Sequence, residues 1–224
     1  MAIYLKKFEN HTQYENYING SGAILPNVSI CTTEGDVYYN PSTPQPSMCI
    51  LTLNDGSTIN IVGNGEITQL MIAPYDETII SAQITEFCTS IGSQAFYGCT
   101  GLTSCTIGSG VTTIGDSAFQ NCVNLTNVTI PNSVTSIGNS AFEQCVSIKS
   151  CTIGSGITSI GGDAFKECYD LSSITIMATT PPELLDYFLG DMSYTTIYVP
   201  SESVEEYKTA YMWRDYADII QEIP

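Results

Sequence analysis

The apolar positions between residues 85 and 177 recur with a single step. Ala95-Phe96, Ala118-Phe119, Ala141-Phe142 and Ala164-Phe165 lie 23 residues apart. On the same step, Ile91-Gly92, Ile114-Gly115, Ile137-Gly138 and Ile160-Gly161 precede them. Cys99, Cys122, Cys145 and Cys168 follow, then Leu102, Leu125, Ile148 and Leu171. The unit reads I-G-x-x-A-F-x-x-C-x-x-L-x-x-(C/V/I)-T-I, four times without an insertion. Its last stretch alternates: Cys105 and Ile107 are apolar, Ser104 and Thr106 polar, and a strand sends such neighbours to opposite faces. Each unit therefore predicts one rung of a parallel sheet. A second extended piece, Val111 to Ile114 and its equivalents, returns along the opposite wall, and the glycine after the isoleucine is read as allowing the sharp turn that follows. The Ala-Phe-x-x-Cys stretch reads as a short helical or 3₁₀ turn whose Phe fills the layer between the walls, one ring per repeat in an aromatic spine.

A period of 23 falls in the range of leucine-rich repeats and is too short for tetratricopeptide, ankyrin or propeller units. The predicted fold is a leucine-rich-repeat solenoid: β-rich, a parallel sheet of short strands with short helical or 3₁₀ turns, a small β N-terminal region and an α+β C-terminal cap. Ser104–Gly110 and Ser150–Gly156 are identical and two periods apart, which points to growth by duplication of a pair. Ile79, Ala82, Ile84 and Cys88 fall in the slots of Leu102, Cys105, Ile107 and Val111 and make a degenerate half-repeat.

Four regions follow. Residues 1–46 carry an amphipathic helix over Phe8 to Ile18, a hairpin of Val28–Cys31 with Val37–Tyr39, and a stiff linker from Pro41 to Pro46. Residues 47–84 hold a second hairpin, Met48–Leu53 with Thr58–Val62 around Asn54-Asp55-Gly56-Ser57, and the half-repeat. Residues 85–177 are the four repeats. In residues 178–224, Pro181-Pro182 stops the pattern, Thr195–Val199 makes a strand, and Ser201 or Ser203 caps a helix running through Tyr207. Trp213, Tyr216, Ile219 and Ile220 cover the last repeat, whose core an open end would expose.

Hydrophobic residues make up 43% of the chain and charged ones 13%, so Ser, Thr, Asn, Gln and Gly must cover its surface. The net charge of −17 disfavours nucleic acid and anionic membranes as partners, since both require clustered Lys or Arg. The acid lies mainly at the two ends, where solvated, self-repelling caps keep an array from stacking on its neighbours. The first residues lack the apolar core and cleavage site of a secretory signal, and no apolar stretch is long enough to span a bilayer.

Candidate chemistry is sparse. As metal ligands the nine cysteines fail: there is no C-x₂-C pair, and His11 is the single histidine. As disulfides, stacked neighbours such as Cys99 and Cys122 would lie about 5 Å apart, within reach of a bridge, but their side chains point the same way. The third reading is a ladder of buried thiols, each a small hydrophobe with a weak donor to turn backbone. Val128 and Ile174 stand where Cys105 and Cys151 stand, so the thiol there is apolar filler. No catalytic residue, cofactor or metal site is expected: G-x-S-x-G and calcium-loop patterns are missing, and Glu205 and Glu206 sit on a solvated helix face. The Gly-Ser-Gly loops at 108–110 and 154–156 are replaced by Pro131-Asn132-Ser133 in the middle repeat, a swap a turn tolerates and a phosphate cradle does not. The remaining feature is an outward polar ladder: Ser104, Asn127, Ser150 and Ser173 in one row, Thr106, Thr129, Thr152 and Thr175 in the next. Such a strip offers hydrogen bonds to a protein or glycan partner, or simply solvates a sheet face, and it holds no aromatic anchor.

At I-G-x-x-A-F-x-x-C-x-x-L the chain resembles the BspA-like subclass of bacterial leucine-rich repeats, over about Ile84 to Ile176. Ile197-Tyr-Val-Pro200, Val204, Tyr207-Lys-x-Ala210, Trp213 and Tyr216-Ala217 resemble the C-terminal cap of such proteins. The resemblance implies an adhesin-like, non-enzymatic recognition module at a cell surface or outside the cell, although these residues include no leader or anchor. Tyr4 to Phe8, Leu25 to Val28 and Val37 to Pro41 resemble the starts of structural proteins encoded by phages of gut bacteria. That likeness implies the alternative of a virion fibre component, with residues 1–46 as the docking part.

Overall fold

Each repeat closes into one coil because its two alternating stretches become two short strands on opposite walls. The chain runs β1 (Ser47–Leu53), β2 (Thr58–Val62), β3 (Gly65–Ile67), two helical turns (Gln69–Ile72 and Ala73–Tyr75), β4 (Ile79–Ile84) and β5 (Cys88–Ile91). Through the repeats it alternates β6 (Ser104–Thr106), β7 (Thr113–Ile114), β8 (Asn127–Ile130), β9 (Ser136–Ile137), β10 (Ser150–Ile153), β11 (Ser159–Ile160) and β12 (Ser173–Ile176). β13 (Glu183–Leu184) and β14 (Thr196–Val199) follow, then the helix Val204–Thr209, a 3₁₀ stretch Trp213–Ile219 and β15 (Ile220–Glu222). This computed structural model describes residues 46–190 and 194–224. The helix and hairpin expected before residue 40, and all of the linker but Pro46, lie outside the described residues. Ser47–Pro224 packs as one unit.

The back wall is one parallel sheet of six strands, β3-β5-β7-β9-β11-β13. The front wall is two sheets, β2-β1-β4-β6 and β8-β10-β12-β14-β15. The division between β6 and β8 has a local chemical cause. Where the front ladder is intact, the N–H after the strand isoleucine donates one coil back: Gly154 to the Ile130 carbonyl at 2.9 Å and Met177 to Ile153 at 2.9 Å. Pro131 holds that position in the middle repeat and has no N–H to give Ile107. Ile107 is accordingly 8% exposed, against 1% for Ile130, and Cys105 is half-buried. A turn tolerates the proline, but the sheet beside it opens.

The third side of each coil is a run of reverse turns. Ala95, Tyr97 and Cys99 donate three residues back within their own coil, in the 3₁₀ pattern. The alternate amides of Gln94, Phe96 and Gly98 instead donate to the carbonyls of Asp116, Ala118 and Gln120 on the next coil, at 2.9, 2.7 and 2.9 Å. Two left-handed residues per coil produce this alternation: Gln94 and Gly98, Ser117 and Asn121, Ser140 and Gln144, Asp163 and Glu167. The expectation for the glycine after each isoleucine is corrected here. Gly115, Gly138 and Gly161 are not left-handed; a Cβ on them would lie 2.6, 2.5 and 2.4 Å from the backbone nitrogen of Ser93, Asp116 and Asn139. These glycines are required by the close approach of successive coils.

The predicted aromatic spine is present. Phe96, Phe119, Phe142 and Phe165 are fully buried and stack nearly parallel, with centroids 5.0, 5.1 and 5.1 Å apart. At the N-terminal end the predicted hairpin forms β1 and β2, with Gly56 at φ 83° in its turn. The half-repeat is a full rung, since β4 pairs with β6 in the register Ala82 to Cys105.

At the other end Pro181-Pro182 does not stop the array, as the prolines precede the strand and leave its donors intact. Glu183 and Leu185 donate to Thr158 and Ile160 one coil back, and β14 and β15 extend the front wall. Phe188 ends the spine by turning edge-on to Phe165 at 6.4 Å. Trp213 packs on Phe188 and donates from Nε1 to the Pro182 carbonyl at 2.7 Å, while the Tyr207 hydroxyl donates to Ala178 at 2.9 Å. Trp213 and Ile220 are buried and close the core as expected. Ser203 stands at the helix N-cap, but neither it nor Ser201 makes a side-chain capping bond.

Phe142 has a stacked ring on both sides, so Phe142→Ala is expected to cost about 3–5 kcal/mol. Urea denaturation followed by circular dichroism measures this; a cost under about 1 kcal/mol would show that the spine does not bear the core.

Candidate functional site

The eight residues of the outward polar ladder all stand on the front wall. Ser150 pairs in register with Asn127 and Ser173, and Thr152 with Thr129 and Thr175. Ser104 and Thr106 stand on β6, in the other front sheet, paired with Ser81 and Gln83 of β4. The structure therefore joins six of the eight residues in one sheet and places the remaining two across the opening beside Pro131.

Register carries the rows beyond the repeats. The threonine row continues from Thr175 to Tyr198 and Gln221 at one end, and from Gln83 to Ile50 and Asn60 at the other. Tyr198 is half-buried and faces outward beside Thr175, so the row runs on into an aromatic beyond the eight residues of the strip. Sequence reading missed it because Ile197-Tyr198-Val199 was placed in a cap, outside the repeat register. The alternation of buried Ile197 and Val199 around Tyr198 was the available signal.

One set of surface hydroxyls in the array holds coil to coil. Thr112, Thr135 and Thr158 on the back wall each donate a hydroxyl hydrogen bond to the carbonyl one coil earlier, at 3.0, 3.2 and 2.8 Å. On the front wall Thr103, Thr126, Ser172 and Thr195 do the same toward Ile80, Thr103, Lys149 and Leu171. The candidate row differs, as does the back-wall row Ser90, Thr113, Ser136 and Ser159, whose hydroxyls likewise bond to nothing among the described residues. Among the described residues the hydroxyls of Thr106, Thr129, Thr152 and Thr175 bond to nothing, and in the neighbouring row Ser150 donates only to Asn127 Oδ1 at 3.2 Å. Their hydrogen-bonding capacity faces solvent.

Comparison with known proteins bears on this architecture directly. The family described as the BspA type leucine rich repeat region matches residues 74–208 in six copies. The chain belongs to this BspA-type family. Its solved structural neighbours are bacterial leucine-rich repeat proteins. A leucine rich repeat protein of T. pallidum is 22% identical with a TM-score of 0.47, covering 56% of this chain and 65% of its own. The pneumococcal vaccine antigen PcpA is 22% identical at 0.48, covering 55% and 31%. A leucine-rich repeat protein from Bacteroides ovatus is 24% identical at 0.42, covering 68% and 50%. The chain thus spans less than two thirds of each of them. No curated protein matches it.

The cysteines of this BspA-type array are free thiols, buried except for the half-buried Cys105. Cys122, Cys145 and Cys168 each donate to the carbonyl of the phenylalanine 26 residues earlier, at 3.1 Å in all three cases. Among the described residues no group of three or more His, Cys, Asp or Glu could hold a metal ion, and no helix is long and apolar enough to cross a membrane. Glu205 and Glu206 are exposed on the cap helix.

Burial pushes the thiols of Cys49 and Cys99 up to about 12 from the ordinary 9.0, and raises Cys122 as well. Above pH 9.0 the unfolded chain loses thiol protons that the folded chain keeps, so stability falls as pH rises, by at most about 1.4 kcal/mol per pH unit per thiol. Urea midpoints are expected to hold steady up to about pH 8 and drop between about pH 9 and 11, less steeply in Cys99→Ala. Midpoints unchanged across that window would mean that the thiols are open to water.

Proposed function

We propose that this BspA-type protein is a non-enzymatic, adhesin-like recognition module. It presents the outer face of its front wall to a protein or glycan partner at a cell surface or outside the cell. The observation that carries this reading is an unbonded threonine row that Tyr198 continues in register, an aromatic that the unbonded back-wall row lacks. The threonines that hold coil to coil are bonded to backbone; those at 106, 129, 152 and 175 are not, although they repeat as regularly. Tyr198 adds the amphipathic anchor that a row of hydroxyls lacks, since aromatic side chains dominate binding energetics at most interfaces. A sheet ladder is a rigid scaffold, so its side chains lose little freedom on binding.

The test is a glycan and matrix-protein array probed with the native chain, with Thr129→Val/Thr152→Val and with Tyr198→Ala. Valine keeps the strand preference and shape while removing two hydroxyls. At least one bound ligand is expected, weakened roughly tenfold by either variant, the equivalent of one or two hydrogen bonds. If nothing binds, or both variants bind as the native chain does, the front face is scaffold alone.

A further inference from the structure

Arg214 is the only arginine in a chain of net charge −17, and it lies in an exposed aromatic cluster on the C-terminal cap. Its guanidinium sits 5.8 Å over the ring of Tyr211, which is 79% exposed. Its Nε lies 4.0 Å from Asp215 Oδ1, and the other oxygen of that carboxylate accepts the Tyr187 hydroxyl at 3.1 Å. Tyr187 is 53% exposed and rests edge-on against Tyr216, which packs in turn on Phe188 and Trp213. Four surface side chains are thus tied into one network, Tyr187–Asp215–Arg214–Tyr211, seated on the aromatic core of the cap.

The backbone beneath contributes to the display. Met212 has φ 63°, a left-handed conformation uncommon for a bulky side chain. It lets Met212 turn inward against the core while its neighbour Tyr211 projects into solvent. Strain of this kind persists where the surroundings over-determine it, and it concentrates at ligand clamps.

We propose that this network is a binding site for an uncharged saccharide, distinct from the front wall. The chemistry matches group by group. A pyranose offers an apolar C–H face, which fits the ring faces of Tyr187 and Tyr211. Its hydroxyl edge fits the donors of the exposed Arg214 guanidinium and the acceptor oxygens of Asp215. Asp186, whose carboxylate accepts the Tyr187 N–H at 2.8 Å, adds negative charge and disfavours acidic sugars and phosphates. The hydrogen bond to Asp215 restrains the Tyr187 ring before the ligand arrives, which lowers the rotamer entropy lost on binding. A protein partner would need a far larger contiguous apolar surface than two rings bordered by charges.

Affinity electrophoresis of the full chain in gels containing galactomannan, mixed-linkage glucan, xylan or alginate tests this. Retardation is expected with at least one of the three neutral polymers and not with alginate. Tyr211→Ala should abolish it, and Arg214→Lys, which keeps the charge but not the fork, should weaken it about tenfold. Thr129→Val/Thr152→Val should leave it unchanged, which separates this site from the front wall. Thermal melts matching the native chain establish that the two cap variants fold. The proposal is overturned if no neutral polymer retards the chain, if alginate retards it more, or if Tyr211→Ala and Arg214→Lys run as the native protein does.

Discussion

The stacking of one coil on the next at about 5 Å is the constraint that the rest of the molecule serves. It is set in the core by parallel phenylalanine rings and at the perimeter by backbone hydrogen bonds on all three sides. On the front and back walls paired parallel strands exchange hydrogen bonds, and on the turn side each coil donates to the one after. A coil is therefore gripped from both neighbours, and no coil can bury its own apolar set alone. The small or hydroxylic residues at fixed points of the repeat follow from that spacing. Glycine stands where a Cβ would strike the previous coil, and threonine where a hydroxyl can reach the previous carbonyl.

The same constraint accounts for how the ends are built. An array that stacks on both faces must be closed at both, or it would add further copies. The antiparallel hairpin β1-β2 closes the front wall at the first rung. At the last rung Trp213, Tyr207 and Phe188 turn their rings across the axis of the spine, and hydrogen bonds to Pro182 and Ala178 tie them down. Stacking makes no demand on the outer faces of the two walls or on the surface of the cap.

Much of this was legible in the chain. The 23-residue step, the inward and outward residues of each strand, the aromatic spine, the thiol ladder and the N-terminal hairpin all follow from periodicity, because side chains alternate on a strand and identical coils place identical residues in line. The eight candidate residues were legible as outward for the same reason. The limits of the array were not. Beyond Ile176 the pattern degenerates, and the prolines at 181 and 182 look like a stop although the strand donors that matter come after them. Tyr198 was lost to that error.

What the sequence by itself determined is the coil: its length, its apolar set and its register, all of which are local and repeated. Only the tertiary structure decided which polar groups are spent and which are left. Whether a threonine hydroxyl faces a carbonyl or water depends on the offset between two coils, 23 residues away along the chain and one hydrogen bond away in space. The break beside Pro131 has the same origin, since a missing N–H matters only opposite the carbonyl it would have met. So does the cap network, where Tyr187 and Asp215, 28 residues apart, become partners because the chain turns back across the end of the spine.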